Sequence, residues 1–452
     1  MNKAASPVVR RTNDLLFHTV PERWDFVPIR TLVIERNERN TNGKRSSYLS
    51  LMANVGVIPY EDKGDVGNKK PDDTEKCKIV NIGDLVLNSM NYGIGSFGLS
   101  EYDGICSPVY LVLSAKMDRV DARYLFRIFE DKSFQSFAQS FGNGILAHRS
   151  AIGWDDLKNI HVPFPPISEQ SQIARFLDHE TAKIDALIAE QQRLIELLQE
   201  KRQAVISHAV TKGLNPNAPM KDSGVEWIGE VPEHWEVVRF KWRTKTASGG
   251  TPPAEPEGKY YGGEIPWLRS LDLNDDLITE HAITVTEDAI KETSCRIVPK
   301  DSVLVAMYGG DGTIGKNGLL TFDSAINQAL CAFLPSDHIS PSYLHKYIQY
   351  YRPYWMYGAE SARKDPNIGQ DRIGSHYLVI PPKFEQADLV RHIEQQEQKY
   401  DSLLSGSSQS IEILQERRSA LISAAVTGKI DVRDWQPPER DSVELTADTE
   451  AA

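Results

Sequence analysis

Two glycine-rich stretches have the residue spacing of phosphate-binding loops. Residues 93–98 (GIGSFG) fit the dinucleotide pattern G-x-G-x-x-G, and residues 310–316 (GDGTIGK) fit a P-loop. In a P-loop the next residue is a Ser or Thr that holds magnesium, whereas Asn317 follows here. The glycines of the two stretches are equivalent under a shift of 217 residues. Two copies of one turn do not make two unrelated cofactor sites, so we predict that these turns shape strands and loops and bind no nucleotide.

No other pattern in the sequence is typical of catalysis. The Pro-Pro pairs are not part of a methyltransferase Asn/Asp-Pro-Pro-Tyr/Phe motif, and neither His-Glu-x-x-His nor Gly-x-Ser-x-Gly is present. Cys77, Cys106, Cys295 and Cys331 form no Cys-x-x-Cys pair, which predicts buried free thiols. We therefore predict a non-catalytic protein without a metal or a cofactor.

Several loops instead combine residues that suit DNA. Arg and Lys bind phosphates and guanine edges, and Asn and Gln bind adenine edges. Such residues cluster in both halves of the chain, although any single one could be an ordinary solvated surface residue. The predicted DNA-binding residues are Arg36, Arg39, Asn42, Lys44, Arg45, Tyr48, His148, Arg149, Lys241, Lys245, Ser248, Thr251, Arg269, Lys316, Arg363, Lys364, Asn367 and Gln370.

The net charge of −12 does not exclude a DNA-binding protein, because local fields decide DNA binding. Residues 1–162 carry 21 basic and 20 acidic groups, a net charge of +1. Residues 221–380 carry 16 basic and 22 acidic groups, a net charge of −6, and residues 431–452 contribute −5. The first half is therefore the more favourable one for DNA binding.

Two similar segments follow the two regions that contain these loops. Residues 165–211 recur at 381–427 without a gap, with 20 of 47 positions identical. Each copy starts at a Pro-Pro pair and places apolar residues every three or four positions, the spacing of a long amphipathic helix. About 40 helical residues span roughly 60 Å, and a polar helix of that length needs a partner. We expect the two copies to pair, with two independent core helices as the alternative.

A second repeat divides the chain into four parts. Val-Pro-Glu-x-Trp occurs at residues 20–24 and again at 231–235, which gives the order A–B–A′–B′. Short apolar strands and helical patterns alternate in both A segments, so each is predicted to be a mixed α/β domain. The predicted boundaries are 1–162 for the first domain, 163–211 for the first helix, 212–224 for a linker, 225–379 for the second domain, 380–430 for the second helix and 431–452 for an acidic disordered tail.

The composition is that of an ordinary soluble protein. Hydrophobic residues make up 40% of the chain, and no run of about 18 apolar residues could cross a membrane. The polar start does not resemble a secretory signal. We expect a cytoplasmic protein with no membrane association.

Together these features resemble the specificity (S) subunit of type I restriction–modification systems, the HsdS family. The resemblance covers nearly the whole chain. It rests on the following residues: the helix openings PPISEQ (165–170) and PPKFEQ (381–386), the endings LQEKR (198–202), LQERR (414–418) and AVT, the stretch GKIDVR (428–433), the entry SGVEWIGEVP (223–232) and SGGTP (248–252).

The resemblance implies two α/β target-recognition domains, joined by two long helices that pack as an antiparallel coiled coil with pseudo-twofold symmetry. Each domain would read one half of a split, asymmetric site in double-stranded DNA. The helices would dock two modification (methyltransferase) subunits, and restriction (translocase/endonuclease) subunits would complete the complex. Adenine methylation and ATP-dependent cleavage would then reside in the partner subunits.

Two features depart from this expectation, and two alternatives stay open. Residues 405–410 (SGSSQS) are poor helix formers, so the sequence leaves open whether the second helix is broken there. The charge of −6 makes the second domain the less favourable DNA binder. The alternatives are a recognition subunit of another restriction or phage-defence system with the same fold, and a self-contained methyltransferase or nucleotide hydrolase that uses the glycine turns.

Overall fold

The computed structural model describes residues 9–12, 16–66, 69–116, 118–141, 151–254, 258–309, 312–355 and 367–437. The chain forms two compact units. Unit 1 contains residues 1–191 and 409–452, and unit 2 contains residues 192–408. Both boundaries fall inside the long helices, so each unit contains part of each helix. None of the described helices is long and apolar enough to cross a membrane.

Unit 1 is a mixed α/β domain built on an antiparallel sheet of strand order β4-β11-β8-β9. Its helices are α1 (Ala122–Glu130), α2 (Lys132–Gln139), α3 (Trp154–Leu157) and the first part of α4 (Ile167–Lys212). Its strands are β1 (Val9–Arg11), β2 (Thr19–Pro21), β3 (Asp25–Pro28), β4 (Val33–Glu35), β5 (Leu49–Met52), β6 (Gly56–Pro59), β7 (Lys78–Val80), β8 (Leu85–Asn88), β9 (Phe97–Leu99), β10 (Gly104–Cys106), β11 (Tyr110–Ala115) and β12 (His161–Phe164).

Unit 2 repeats this sheet as β16-β24-β21-β22 and adds β18 at its edge. A second sheet, β19-β17-β23-β20, contains the pair β23-β20, the counterpart of the two-stranded sheet β10-β7 of unit 1, and extends it with β17 and β19. The helices are α5 (Glu287–Glu292), α6 (Pro341–Tyr351), α7 (Gln370–Ser375) and the first part of α8 (Lys383–Val426). The strands are β13 (Met220–Asp222), β14 (Glu230–Pro232), β15 (Glu236–Arg239), β16 (Thr246–Ser248), β17 (Tyr261–Leu268), β18 (Leu277–Ile278), β19 (Thr284–Val285), β20 (Arg296–Val298), β21 (Val303–Ala306), β22 (Asn317–Leu320), β23 (Ser324–Ile326), β24 (Leu330–Phe333) and β25 (Tyr377–Ile380).

The two long helices contribute equivalent residues to the two cores. In each unit the start of one helix packs beside the end of the other, so the helix segments within a unit run antiparallel. Full burial of an aliphatic side chain contributes roughly 1.5–3 kcal/mol, which makes these residues a large part of what holds helix to domain. The core of unit 1 contains Ile173, Ala174 and Leu177 of α4 with Ile422, Ala425 and Val426 of α8. The core of unit 2 contains Leu389, Val390 and Ile393 of α8 with Ile206, Ala209 and Val210 of α4.

The recurrent glutamine of the helix opening joins each helix to the domain before it. Gln170 is fully buried and its side-chain amide donates to the carbonyls of Pro165 (2.9 Å) and Arg119 (3.2 Å). Its Oε1 accepts from the backbone N–H of Asp121 (3.0 Å), the residue that caps α1. A buried amide must have its hydrogen bonds satisfied, so Gln170 fixes the start of α4 to the start of α1.

Gln386 makes the same set of bonds in unit 2. Its amide nitrogen donates to the carbonyls of Pro381 (2.9 Å) and His338 (3.3 Å), and its Oε1 accepts from the N–H of Ser340 (2.7 Å). Ser340 directly precedes α6, as Asp121 precedes α1. The repeated sequence therefore encodes a repeated junction.

A left-handed glycine ends each long helix against a tryptophan. Gly213 (φ +74°) lies against Trp235 in unit 2, and Gly428 (φ +71°) lies against Trp24 and Pro21 in unit 1. Only glycine adopts this conformation without strain, and it ends a helix by turning the chain away. The Val-Pro-Glu-x-Trp repeat thus supplies the surface on which each helix stops.

The second long helix is continuous through residues 405–410, the point that the sequence left open. α8 runs without interruption from Lys383 to Val426. Ser407 is buried, and the position of Gly406 has open space around it. The packing of this long helix outweighs the low helix propensity of a few small residues, which is a weak local preference.

Two predicted boundaries also differ from the structure. The predicted linker 212–224 contains β13, which pairs with β14 and so belongs to the second domain. The predicted disordered tail begins with residues that pack on unit 1: Val432 is buried and the Trp435 ring lies 5.4 Å from that of Phe176. Apolar side chains at these two positions outweigh the acidic composition. The remaining tail, residues 438–452, lies outside the described residues.

Candidate nucleic-acid interface

In unit 1 the first predicted DNA-binding residue has an internal partner. Arg36 donates to Asp84 through Nε (2.8 Å) and Nη2 (3.1 Å), and Nη2 also reaches the Ser114 hydroxyl (3.2 Å). The hydrogen bond to Asp84 raises the pKa of Arg36. A bidentate pair of this kind fixes the planar guanidinium. Arg36 therefore braces the sheet, and it is not poised for DNA in this arrangement.

Two further arginines of the same loop bind the backbone of β7 and of the segment that leads into it. Arg39 donates to the carbonyl of Lys76 (2.7 Å), and Arg45 donates to the carbonyl of Val80 (2.5 Å). Arg45 Nη2 also reaches Asn81 Oδ1 (2.7 Å). These contacts shape the loop and leave each guanidinium further donors, since arginine has five N–H groups.

Asn42 and Lys44 are two exposed predicted residues in this loop. Asn42 adopts a left-handed conformation (φ 62°) in an exposed turn. Lys44 has 60% of its side chain exposed, and its nearest acidic partner is Glu38 at 3.4 Å. Exposed pairs of this kind are weak, so Lys44 can exchange Glu38 for a phosphate.

Tyr48 has a structural role instead of an exposed one. Only 6% of its surface is accessible, and its ring packs with Cys77, Ile79 and Ile105. Burial raises the pKa of its hydroxyl. The Tyr48 ring is part of a small hydrophobic cluster, whereas the sequence analysis placed it among the residues that contact DNA.

Four predicted residues lie outside the described part of the chain. They are His148, Arg149, Arg363 and Lys364.

In unit 2 the predicted residues after β15 lie on the surface around β16. Lys241 and Lys245 are exposed. Ser248 ends β16, opposite Cys331 of β24. Thr251 is exposed and donates its hydroxyl hydrogen to Gln328 Oε1 (2.6 Å). The sequence thus brings lysines and small polar residues to one edge of the shared sheet.

Arg269 follows β17 and is held by a nearby carboxylate. Asp272 accepts from its backbone N–H (2.8 Å) and lies 3.4 Å from its Nε. The short turn between the two residues contains Leu271, which is 77% exposed. Lys316, at the start of β22, is half-buried.

Two predicted residues lie at the start of α7. Gln370 donates to the Thr246 hydroxyl of β16 (2.8 Å), which joins α7 to the sheet edge. Asn367 is exposed three residues earlier. Gln370 therefore helps to position the edge around β16 and Asn367 stays accessible.

The glycine turns lie between antiparallel strands. Residues 93–98 connect β8 to β9, which pair with each other, and Gly95 takes a left-handed conformation (φ 90°). The second stretch connects β21 to β22, also an antiparallel pair, and its residues 310 and 311 lie outside the described part of the chain. A dinucleotide or P-loop motif needs a strand followed by a helix, so this context differs from both motifs.

The cysteines are buried, as predicted. All four are free, and burial raises the pKa of Cys106 and of Cys331 to about 12. Such thiols stay protonated at neutral pH, whereas a reactive cysteine needs the thiolate. These two therefore act as small core residues.

Two exposed residues of unit 2, Gln328 and Arg296, lie outside the basic clusters of the sequence. Gln328 lies in the turn between β23 and β24, beside Thr251. Arg296 starts β20 directly opposite Ile326, at the other side of that turn. Neither residue is part of a charged run, and only the pairing of strands that are distant in sequence brings them to this edge.

Comparison with known proteins identifies the family of this chain. The type I restriction modification DNA specificity domain matches twice, over residues 21–198 and 232–413. The type I restriction enzyme MjaVIII specificity subunit of Methanocaldococcus jannaschii is 30% identical over 234 residues, 51% of each protein. The EcoKI specificity subunit of Escherichia coli strain K12 is 22% identical over 453 residues, covering 94% of this chain and 92% of that one.

A solved structure has the same fold. A chain from work on complex assembly and conformational transition of the type I R-M system aligns with a TM-score of 0.70 at 17% identity. The alignment covers 91% of this chain and 99% of the other. The two domain matches together span well over half of the sequence, so the chain belongs to the type I restriction modification DNA specificity family.

Proposed function

We propose that this chain is the sequence-specific DNA-binding subunit of a type I restriction–modification complex. Unit 1 reads one half of a bipartite, asymmetric site in double-stranded DNA, and unit 2 reads the other half. The subunit itself needs no cofactor. Adenine methylation and ATP-dependent cleavage are carried out by modification and restriction subunits that assemble on it.

The observation that carries this proposal is that two equivalent long helices, with equivalent junctions, hold two different domains. Gln170 and Gln386 make the same junction, and a four-stranded sheet of the same strand order precedes that junction in both units. Outside that sheet the units differ, because β10-β7 is a two-stranded sheet in unit 1, whereas its counterpart β23-β20 is part of a four-stranded sheet with β17 and β19 in unit 2. The duplicated helices and junctions give two equivalent positions for recognition, and the different surfaces of the two domains suit two different half-sites.

The long helices offer two equivalent surfaces for a partner. Leu187 of α4 and Leu403 of α8 are equivalent residues, and each is 46% exposed. Leu197 and its equivalent Ile413 are 46% and 57% exposed. Repeated exposed apolar residues suit two copies of one partner, which supports the proposal of two modification subunits.

Methylation mapping tests the reading of DNA. Genomic DNA from cells that carry the system is compared with DNA from a strain lacking this gene. We expect one asymmetric motif of two short half-sites separated by a fixed unspecified spacer, lost with the gene. A single continuous or palindromic motif, or methylation that persists without the gene, would contradict the proposal.

Copurification tests the assembly. The tagged chain should bring down the modification subunit in a ratio of two to one chain. Leu403→Asp should lower that ratio towards one, and Leu187→Asp should do the same. Arg391→Ala, an exposed change on α8 outside the apolar residues, is the control. A ratio that stays at two in both leucine variants would exclude these helix surfaces as docking sites.

A further inference from the structure

The turn between β23 and β24 is fixed at both ends. Leu330 N–H donates to the carbonyl of Asn327 (3.3 Å), and Asn327 Oδ1 accepts from the N–H of Ala329 (3.1 Å). Asn327 N–H in turn donates to the carbonyl of Leu268 at the end of β17 (3.0 Å). An asparagine that bonds its own turn stabilises the turn strongly. Gln328 is therefore the exposed residue of a rigid turn.

The side chain of Gln328 is also oriented. Thr251 Oγ1 lies 2.6 Å from Gln328 Oε1 and donates to it. Thr251 is itself placed by its neighbour Gly250, whose N–H donates to the carbonyl of Ile326 (3.1 Å). The hydrogen bond from Thr251 thus restricts the orientation of the Gln328 amide, which lowers the conformational entropy lost when the amide contacts a ligand.

The bond to Thr251 leaves the amide able to read an adenine. An amide oxygen has two acceptor positions and an amide nitrogen has two hydrogens. Thr251 occupies one acceptor position, so Gln328 keeps one acceptor and both donors. An adenine edge in the major groove offers N7 as acceptor and the N6 amino group as donor, and glutamine binds both.

Two neighbours fit the rest of such a contact. Leu271 is 77% exposed and lies three residues after Leu268, whose carbonyl accepts from Asn327 N–H, and an apolar side chain suits a thymine methyl group. Arg296 starts β20 opposite Ile326 and is exposed; no carboxylate of the described residues is within ion-pair distance of it. A cation in this position suits a phosphate.

We propose that Gln328 reads an adenine in the half-site of unit 2 and that Thr251 is the positioning residue for its amide. This inference rests on the proposed function, because it names the base-reading residue of one half-site. The equivalent turn of unit 1 carries Pro108 in the place of Gln328, so the contact is specific to unit 2.

The test is selection from a library of random DNA duplexes, with the complex purified through the full-length chain. The wild type should enrich a bipartite motif. In Gln328→Ala, the preference for A·T over the other base pairs at one position of one half-site should decrease by a factor of about 5 to 150. The other half-site should be unchanged. Gln328→Glu should move the preference at that position towards C·G, because a carboxylate accepts from the cytosine amino group. Thr251→Val should weaken the preference for the same base without redirecting it.

Gln398→Ala, an exposed glutamine on α8 of the same unit, is the matched control and should keep the wild-type motif. An unchanged motif in both Gln328 variants would overturn the inference and leave the proposed function standing. An even loss at all positions would also overturn it, since that is the signature of a phosphate contact. A wild-type complex that enriches no bipartite motif would overturn the proposed function together with the inference.

Discussion

Arg202 and Arg418 are equivalent residues of the two long helices, and each forms an ion pair with the equivalent aspartate of the opposite helix. Arg418 Nε lies 2.8 Å from Asp185 in unit 1, and Arg202 Nε lies 3.3 Å from Asp401 in unit 2. Each pair joins the first half of one helix to the second half of the other. The duplication has thus preserved an interaction between the helices as well as their sequences.

The second acid in the two networks lies on different elements. In unit 1, Arg418 also pairs with Glu130 at the end of α1 (2.9 Å), and Glu130 pairs with Arg127. In unit 2 the equivalent of Glu130 is Gln349, and the acid comes from the long helix as Glu397. The acidic residue therefore lies on α1 in unit 1 and on α8 in unit 2, whereas basic residues occupy equivalent positions in both units.

Glu397 should be essential for the stability of unit 2. It lies 2.6 Å from Lys346 Nζ and 3.0 Å from Arg202, and both Glu397 and Lys346 are about nine-tenths buried. Glu397→Gln leaves a buried ammonium without its acid, so we expect a loss of about 3–5 kcal/mol in the free energy of unfolding. The double variant Lys346→Met/Glu397→Leu should recover most of it. Urea denaturation measures both, and a loss below about 1 kcal/mol in Glu397→Gln would argue against a buried pair.

Transfer of an arginine from unit 1 should stabilise unit 2. Arg123 on α1 pairs with Asp178 (3.1 Å), whereas the equivalents in unit 2, Ser342 and Glu394, line one open cleft without that arginine. Ser342→Arg should add about 0.2–1 kcal/mol, the range of an exposed pair. The same change in a Glu394→Gln background is the control and should add nothing. An equal gain in both backgrounds would show that the new arginine acts through some other contact.

The glycine at the end of α8 should tolerate no side chain. A Cβ on Gly428 would lie 2.4 Å from Pro21 Cγ and 3.0 Å from the Trp24 ring, at φ +71°. We expect Gly428→Ala to destabilise unit 1 by about 2–4 kcal/mol through strain and overpacking. Gly224 has a similar φ of +72° with open space around it, so Gly224→Ala should cost only about 1 kcal/mol. Thermal unfolding compares the two, and equal shifts would show that the tryptophan contact does not matter.

Mild acid should destabilise unit 2 through two buried histidines. Burial is the main cause that lowers the pKa of His345 to about 4, with Lys346 beside it, and burial also lowers the pKa of His376 to about 4. Between about pH 4 and the ordinary value near 6.5 the unfolded chain binds more protons than the folded one, so stability falls as the pH falls. We expect roughly 2 kcal/mol per histidine between pH 7 and pH 5. His345→Leu should reduce the difference between denaturation midpoints at the two pH values, and an unchanged difference would contradict the assignment.

The sequence predicted the parts of the fold that depend on local patterns. The periodic apolar residues of 165–211 and 381–427 predicted α4 and α8, and the alternation of short apolar strands with helical patterns predicted two mixed α/β domains. Those features need only neighbours in sequence. The resemblance to the specificity subunits then supplied the family, which the domain matches confirm.

The candidate site was harder to predict, because long-range pairing decides which polar residues stay available. Arg36 has its partner Asp84 48 positions away, and Gln328 meets Thr251 across 77 positions. Neither contact is visible in composition or local spacing. Residue type predicted a DNA-suited loop, whereas strand order decides which residues in it brace the sheet and which face outwards.

The division of the long helices between the units has a consequence for the order of biosynthesis. Unit 2 is one continuous stretch, residues 192–408, so all of it emerges from the ribosome in succession. Unit 1 emerges first and yet needs Ile422, Val426 and Gly428 from the far end of the chain to cover its core. At roughly 5–20 residues per second, more than ten seconds of translation separate the two pieces. The domain that is made first is therefore the last to be completed, and during that interval the apolar surface that the end of α8 covers stays exposed, a condition that favours aggregation.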